Sequence, residues 1–550
     1  MKSWKDQLLD LKNALRGSGH GKGRGDEPPK IDFEPPPAWL AGGQPTPKKP
    51  PAGNPVQKSA TPVAAVVAPV TKPSPRPSVL PPPPFKPHID DGCALNMPEW
   101  GDIGRSLQHP EHRGERSAPM TVRVGLDFGT AFTKVAIRAG VDLVPVEWSA
   151  VTGDDSEAGR HVIPGFVVRA PDGEFCWRRL TEADIRGNLK LSVIERAGAD
   201  DCPIASVAYL ALVIRYARAF LYRNSEIGRK LMGRSLRWEL NIGCPTEPHE
   251  NPKVVDVFRR IARAAWLLAA EDRLAEQDIL AAWSLGDRAI DLEAEPSVVP
   301  EFVAQIAGYL GSPQVKDGLH ALIDIGAATL DVATFNVVLR NDQASPPHIP
   351  IFFSAVRYLG THYLRLNRHS RLGLDLSWND ATPVESSDDF GQRNGSPVDQ
   401  VVAADEKFVG LIVSLITRVI NETRTNGKGS PEQPDRFGQY LKDSVCRQGL
   451  PIFVTGGGSC CELYRRAIDK VELELKKKIG SSNDFRFIEL GRPGAKTLPF
   501  EGKAGIRLAV AHGLTEDASS IARVVAHRDI EPITQGTRER IDHTDLYGGR

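Results

Sequence analysis

The chain has 550 residues, and its 69 lysines and arginines balance 69 aspartates and glutamates, so the formal charge is zero. That balance argues against specific nucleic-acid binding, and 41% hydrophobic with 25% charged residues is the make-up of a soluble globular protein. Seven cysteines with no C-x-x-C spacing argue against a disulfide framework or a zinc site and read as reduced thiols of a cytoplasmic protein.

Residues 1–16 carry Trp4, Leu8, Leu11 and Leu15 at intervals of three and four, among Lys2, Lys5, Asp6, Asp10 and Lys12. This predicts a short amphipathic helix without the continuous apolar run of a signal peptide. So short a helix is marginal alone, so its stripe is expected to dock, on a protein partner first, with peripheral membrane contact or the chain's own domain as alternatives. Residues 17–120 are dense in proline, including Pro81-Pro82-Pro83-Pro84, and are predicted to be disordered or polyproline II. The stretch Arg76–Pro84 suits either an aromatic proline-binding groove or a stiff spacer.

An α/β fold is predicted from residue 121. Val124-Gly125-Leu126-Asp127-Phe128-Gly129-Thr130 reads as a buried strand ending in Asp-x-Gly, followed by a second strand through Lys134. Strands near 143–148 and a helix from Pro203 to Tyr222 follow. The apolar run in that helix stops at Arg215 and reads as a core helix rather than a membrane span. A strand at Arg237–Cys244 precedes a helix capped by Asn251-Pro252 and running to Ala270. Glu295-Pro296 is expected to precede a helix ending near Leu310.

Leu322-Ile323-Asp324-Ile325-Gly326-Ala327-Ala328-Thr329-Leu330-Asp331 repeats the first hairpin's chemistry. Glycine at a hairpin tip lets backbone N–H groups approach phosphate oxygens, and each Asp can hold a hydrated Mg²⁺ that faces them. A strongly periodic helix is expected at Glu406–Asn421, with a polar loop after it. A third cluster, Thr455-Gly456-Gly457-Gly458-Ser459, follows an apolar strand and opens a helix over Glu462–Lys478, a strand–turn–helix arrangement suited to a nucleotide. A last helix, Gly505–Gly513, leads into a polar tail.

In this order and spacing the three motifs resemble the actin, sugar-kinase and DnaK-type chaperone ATPase superfamily over residues 121–517. The resemblance implies two RNase-H-like lobes forming an actin-like ATPase domain, lobe I over 121–318 and lobe II over 319–516, with the final helix returning to lobe I and a polar tail at 517–550. It implies ATP and Mg²⁺ as ligands. Asp127, Asp324 and Asp331 would organise the metal, and Gly129, Thr130, Gly326, Ala327 and Thr329 the phosphates. Gly456, Gly457, Gly458 and Ser459 would hold the adenosine. Glu295 in Glu293-Ala294-Glu295-Pro296 would orient the attacking water, with Asp324 and Lys190 completing the catalytic set. Lys134 is a feature shared with actins and sugar kinases rather than DnaK-type chaperones. The family's Thr-Arg after Gly-Gly-Ser is replaced by Cys460-Cys461, and where the family prefers three glycines in its second phosphate turn this chain has Gly326-Ala327-Ala328.

Too little chain follows the ATPase segment for a peptide-binding domain. The expectation is therefore a DnaK-like ATPase working as a nucleotide-gated switch for a protein partner, engaged through the N-terminal helix and lobe surfaces. An actin-like filament former and a small-molecule kinase are the alternatives.

Overall fold

The computed structural model describes residues 95–530 apart from short segments, the longest being 427–448 and 491–501. The expected docking helix, the linker up to residue 94 and the tail beyond residue 530 lie outside the described residues, as does most of the expected polar loop after Asn426.

Two six-stranded sheets carry the mixed α/β architecture. The first contains β1 (Met120–Phe128), β2 (Phe132–Ala139), β3 (Asp142–Pro145), β4 (Leu236–Cys244) and β5 (Ser297–Pro300). The second contains β6 (Gly318–Ile325), β7 (Leu330–Val337), β8 (His348–Arg357), β9 (Leu450–Thr455) and β10 (Phe485–Ile488). Both follow one plan. The first three strands form an antiparallel meander, and the fourth and fifth run parallel to the first on its other side. Parallel neighbours need helical crossovers, which is why helices separate those strands in the chain.

In the first half these helices are α1 (Leu189–Glu195), α2 (Ile204–Arg223) and α3 (Pro252–Leu268). α2 is long and apolar enough by composition to cross a membrane, but most of it is buried in the protein, as expected of a core helix. α3 begins as expected, with the Asn251 side chain accepting from the Lys253 N–H and Pro252 as its first residue. α4 (Glu301–Leu310) joins the two sheets. The second half adds α5 (Thr361–Leu372), α6 (Val398–Asn426), α7 (Glu462–Ile479) and α8 (Gly502–Gly513). α6 starts eight residues before the expected Glu406, because Val401, Ala404 and Asp405 already lie on its buried face.

α8 does return to the first sheet. It packs on β1, β2 and α4, where Gly125 and Gly513 permit backbone approach: a Cβ on Gly125 would lie 2.3 Å from the Ala511 carbonyl, and one on Gly513 1.9 Å from that of Ala304. Asn241 secures the end of this helix by donating to the Leu514 and Glu516 carbonyls at 2.7 and 2.9 Å.

The packed chain already includes Leu95, which corrects the expectation that the disordered or polyproline II segment runs from 17 to 120. Leu95 is fully buried, and a 3₁₀ turn at Glu99–Arg105 sets Trp100 against Tyr216 of α2, with ring centroids 5.2 Å apart. Gly104 sits so close to the Arg215 carbonyl that a Cβ would be 1.8 Å from it. Trp238 and Tyr222 fix the stretch after the turn by donating to the Leu107 and Ser106 carbonyls. Leu95, Met97, Trp100, Ile103 and Leu107 supply the apolar surface that the proline-rich linker before them lacks.

Candidate functional site

The tips of the β1–β2 and β6–β7 hairpins, the turn after β9, and one face each of α1, α4 and α8 enclose a cavity of about 300 Å³. The two hairpins have the same register. Asp127 pairs across to Lys134, and Asp324, at the same position in its own hairpin, pairs across to Asp331. The duplicated hairpin therefore differs by one charge reversal. Lys134 Nζ donates to Asp127 Oδ2 at 2.8 Å, so the first hairpin neutralises itself, while the second sets two acids side by side.

Each tip has a steric reason for its glycine. A Cβ on Gly129 would lie 2.1 Å from the Phe132 carbonyl. Gly456 has φ +83, and a Cβ there would meet Asp324 Oδ1 at 2.2 Å. The carbonyls of Gly326, Ala327 and Ala328 accept from the N–H groups of Thr361, His362 and Gly360 at the start of α5. The Gly326 N–H donates to the Thr329 carbonyl at 2.8 Å, so what that turn can offer a ligand is the N–H groups that follow Gly326.

α4 contributes two polar residues one turn apart, Glu301 and Gln305, on an otherwise apolar helix. Lys190 Nζ donates to Glu301 Oε1 at 2.5 Å, and both groups are buried. Gln305 donates to Asp324 Oδ2 at 2.9 Å and accepts from Thr455 at 3.1 Å, which fixes the amide orientation and that of the carboxylate. Asp324 Oδ1 and Asp331 Oδ1 are buried with no hydrogen-bond partner.

The electrostatics follow from this crowding. Burial pushes Glu301 up to about 7; Lys190 opposes the rise, and Asp127 and Asp324 add to it. Burial likewise raises Asp324, against the pull of Gln305 and Lys134. Lys190 is pulled down by burial, but the charges of Glu301 and Asp127 more than offset this and its pKa is raised. Asp331 is pushed up to about 8 by burial and then by the charge of Asp324, while the Thr246 N–H at 3.2 Å pulls the other way.

These carboxyls fix how stability depends on pH. An acid raised in the fold stays protonated there while the unfolded chain ionises at about pH 4, so stability is full below that value, falls as pH rises, and levels off above the folded pKa. For Asp331 the window runs up to about 8, and Glu301 acts in the same direction up to about 7. Asp331→Asn is expected to flatten the decline, with a melting temperature equal to the wild type's near the acid end and several degrees above it at about pH 8.5. Thermal melts across this range check it. Parallel profiles would show that Asp331 is charged in the fold.

Of the residues singled out from sequence, the cavity brings together Asp127, Gly129, Thr130, Lys134, Lys190, Asp324, Gly326, Ala327, Thr329, Gly456, Gly457, Gly458 and Ser459. It does not include two. Glu295 lies outside it, about half exposed, and pairs with Arg263 and Arg259 of α3. The strand β5 intervenes, and the acid that enters the cavity is Glu301, six residues later. Asp331 is buried behind Asp324 rather than lining the space. Sequence reasoning missed Glu301, Gln305 and Arg507. The legible signal for the first two was a pair of polar residues four apart on an apolar helix.

Among the described residues no group of three or more His, Cys, Asp or Glu is arranged to ligate a metal ion directly. The unpartnered Oδ1 of Asp324, which lines the cavity, suits a cation held through its water shell. No protein-family model matches the chain, and no curated protein matches it.

Proposed function

We propose that this chain is a DnaK-like member of the actin, sugar-kinase and chaperone ATPase superfamily, with two RNase-H-like lobes, that binds Mg·ATP in the cavity and hydrolyses it. The observation that carries this reading is the convergence on one cavity of all three glycine turns, which are about 130 to 330 residues apart in the chain, together with Asp127, Asp324 and Lys134. The shared plan of the two sheets supports the duplicated architecture.

In this reading the N–H groups of Thr130 and Ala327, with the Thr329 hydroxyl, face the phosphates, Gly129 and Gly326 shape the two tips through their own internal hydrogen bonds, and Lys134 balances part of the phosphate charge. Asp127 and Asp324 would hold Mg²⁺ through water, and the ion would supply charge neutralisation at the phosphates. Glu301 takes the role expected of Glu295. A carboxyl poised near neutrality can accept a proton or hold a water at working pH, and Lys190 orients it. The protein would then serve as a nucleotide-gated switch in the cytoplasm, presenting different surfaces to a protein partner in its two states.

Calorimetric titration of the full-length protein tests the reading. ATP is expected to bind in the presence of Mg²⁺ and at least tenfold more weakly in EDTA, and ADP and phosphate should accumulate on incubation. Absence of ATP binding in both conditions would overturn it.

A further inference from the structure

The duplicated hairpins hold their two aspartates by different means. Asp127 takes an ammonium, that of Lys134, at 2.8 Å, so its charge is met inside the hairpin. Asp324, at the same place in the second hairpin, takes a neutral amide: Gln305 Nε2 donates to its Oδ2 at 2.9 Å and is the one hydrogen-bond donor to that carboxylate among the described residues. An amide fixes the direction of a carboxylate without cancelling its charge.

The amide is itself held. Asp324 and Thr455 are register partners in the parallel pair β6–β9, which sets their side chains on one face of the sheet, and Gln305 reaches from α4 across both. The Thr455 hydroxyl donates to Gln305 Oε1 at 3.1 Å, so the N–H end of the amide is the end that faces Asp324. Gln305 and Thr455 are buried, and a turned amide would set its oxygen against the carboxylate with no water to relieve it. The other carboxylate oxygen, Oδ1, has no hydrogen-bond partner and stands against Gly456, where a Cβ would lie 2.2 Å from it. One oxygen of Asp324 is thus committed to Gln305, and the other is kept in a fixed place.

We infer that Gln305 is a positioning residue for the divalent cation of this site. It acts through Asp324, turning that carboxylate so that Oδ1 is kept for a hydrated cation, and Thr455 acts one step further back by holding the amide. The inference rests on the nucleotide reading and adds to it the side chains that set its metal dependence.

The test titrates Mg²⁺ at fixed ATP, and ATP in EDTA, by calorimetry on the full chain and its variants. Gln305→Met keeps the length of the side chain and loses both polar ends. It is expected to raise the Mg²⁺ concentration that half-restores tight ATP binding by about 10- to 100-fold, the usual cost of losing an outer-shell partner of a metal-binding group, and to leave the affinity in EDTA within about twofold. Retained binding in EDTA also reports that the variant is folded. On an Asp324→Asn background Gln305→Met should raise the Mg²⁺ requirement no further, because its effect runs through that carboxylate. Thr455→Val should shift the requirement in the same direction by a few-fold, and it carries the test if Gln305→Met does not fold. Equal losses in Mg²⁺ and in EDTA would make Gln305 a residue that only shapes the cavity and overturn the inference, as would an unchanged Mg²⁺ requirement in either variant or a full further loss on the Asp324→Asn background. Wild-type protein that binds ATP alike in Mg²⁺ and EDTA would overturn the inference while leaving a nucleotide site; protein that binds ATP in neither would overturn the nucleotide reading itself.

Discussion

Glu301→Gln is expected to lower ATP turnover by at least about 100-fold while leaving Mg·ATP affinity within a few-fold of wild type. The amide keeps the size of the side chain and an acceptor for Lys190, but it cannot take a proton or carry the charge that holds a water for attack, and removing a general base typically costs two to four orders of magnitude. The substitution also leaves the Lys190 ammonium buried beside a neutral group. Breaking one side of a buried pair costs about 3–5 kcal/mol, so instability alone could mimic the loss. The double variant Glu301→Gln with Lys190→Met separates the effects: its melting temperature should recover toward wild type while turnover stays low. Glu295→Gln is the outside control and should turn over normally, because Glu295 pairs with α3 rather than facing the cavity. Single-turnover hydrolysis measures all of these, and unchanged rates in Glu301→Gln would remove it from the chemistry.

Asp324→Asn should move stability and binding in opposite directions. In the free protein this carboxyl is buried, close to Asp127 and Asp331, and has one oxygen without a partner. Its ionised form is therefore costly to fold, and the amide should raise the melting temperature of the ligand-free protein. The same change removes one of the two charges proposed to hold hydrated Mg²⁺. Mg·ATP affinity should fall by at least about tenfold, and the difference between Mg²⁺ and EDTA should shrink. A variant that is more stable and still binds Mg·ATP normally would mean that Asp324 is a structural acid.

What could be read in the sequence, and what could not, divides along one physical line. The two hairpin tips and the turn at Gly456 were legible because a tip needs glycine for steric reasons that any chain must meet, and because the Asp beside it recurs at the same offset. The Asn251 cap was legible for a similarly local reason. Glu301 was not, since its role depends on where α4 begins, and β5 inserts a strand between the conspicuous Glu295-Pro296 pair and the helix. Arg507 was hidden because nothing near it in sequence marks the cavity; the return of α8 to the first sheet brings it there. Residues 95–112 were overlooked for another reason. The composition of the long proline-rich stretch before them outweighed five apolar residues that pack into the core of the first half.

The seven residues of α1 hold two halves of the protein at once. Leu189 and Val193 belong to the core under the first sheet, while Leu191, between them, belongs to the core under the second. Glu195 at its end accepts from the Tyr358 hydroxyl at 2.6 Å, and its start follows Asn188, the one described residue other than glycine with positive φ. A change in the spacing of the two cores cannot leave this helix at rest: it must pull Leu191 out on one side or Leu189 and Val193 on the other. Lys190 rides on the same turn. Whatever alters the charge on Glu301 therefore acts on the one helix that both cores share.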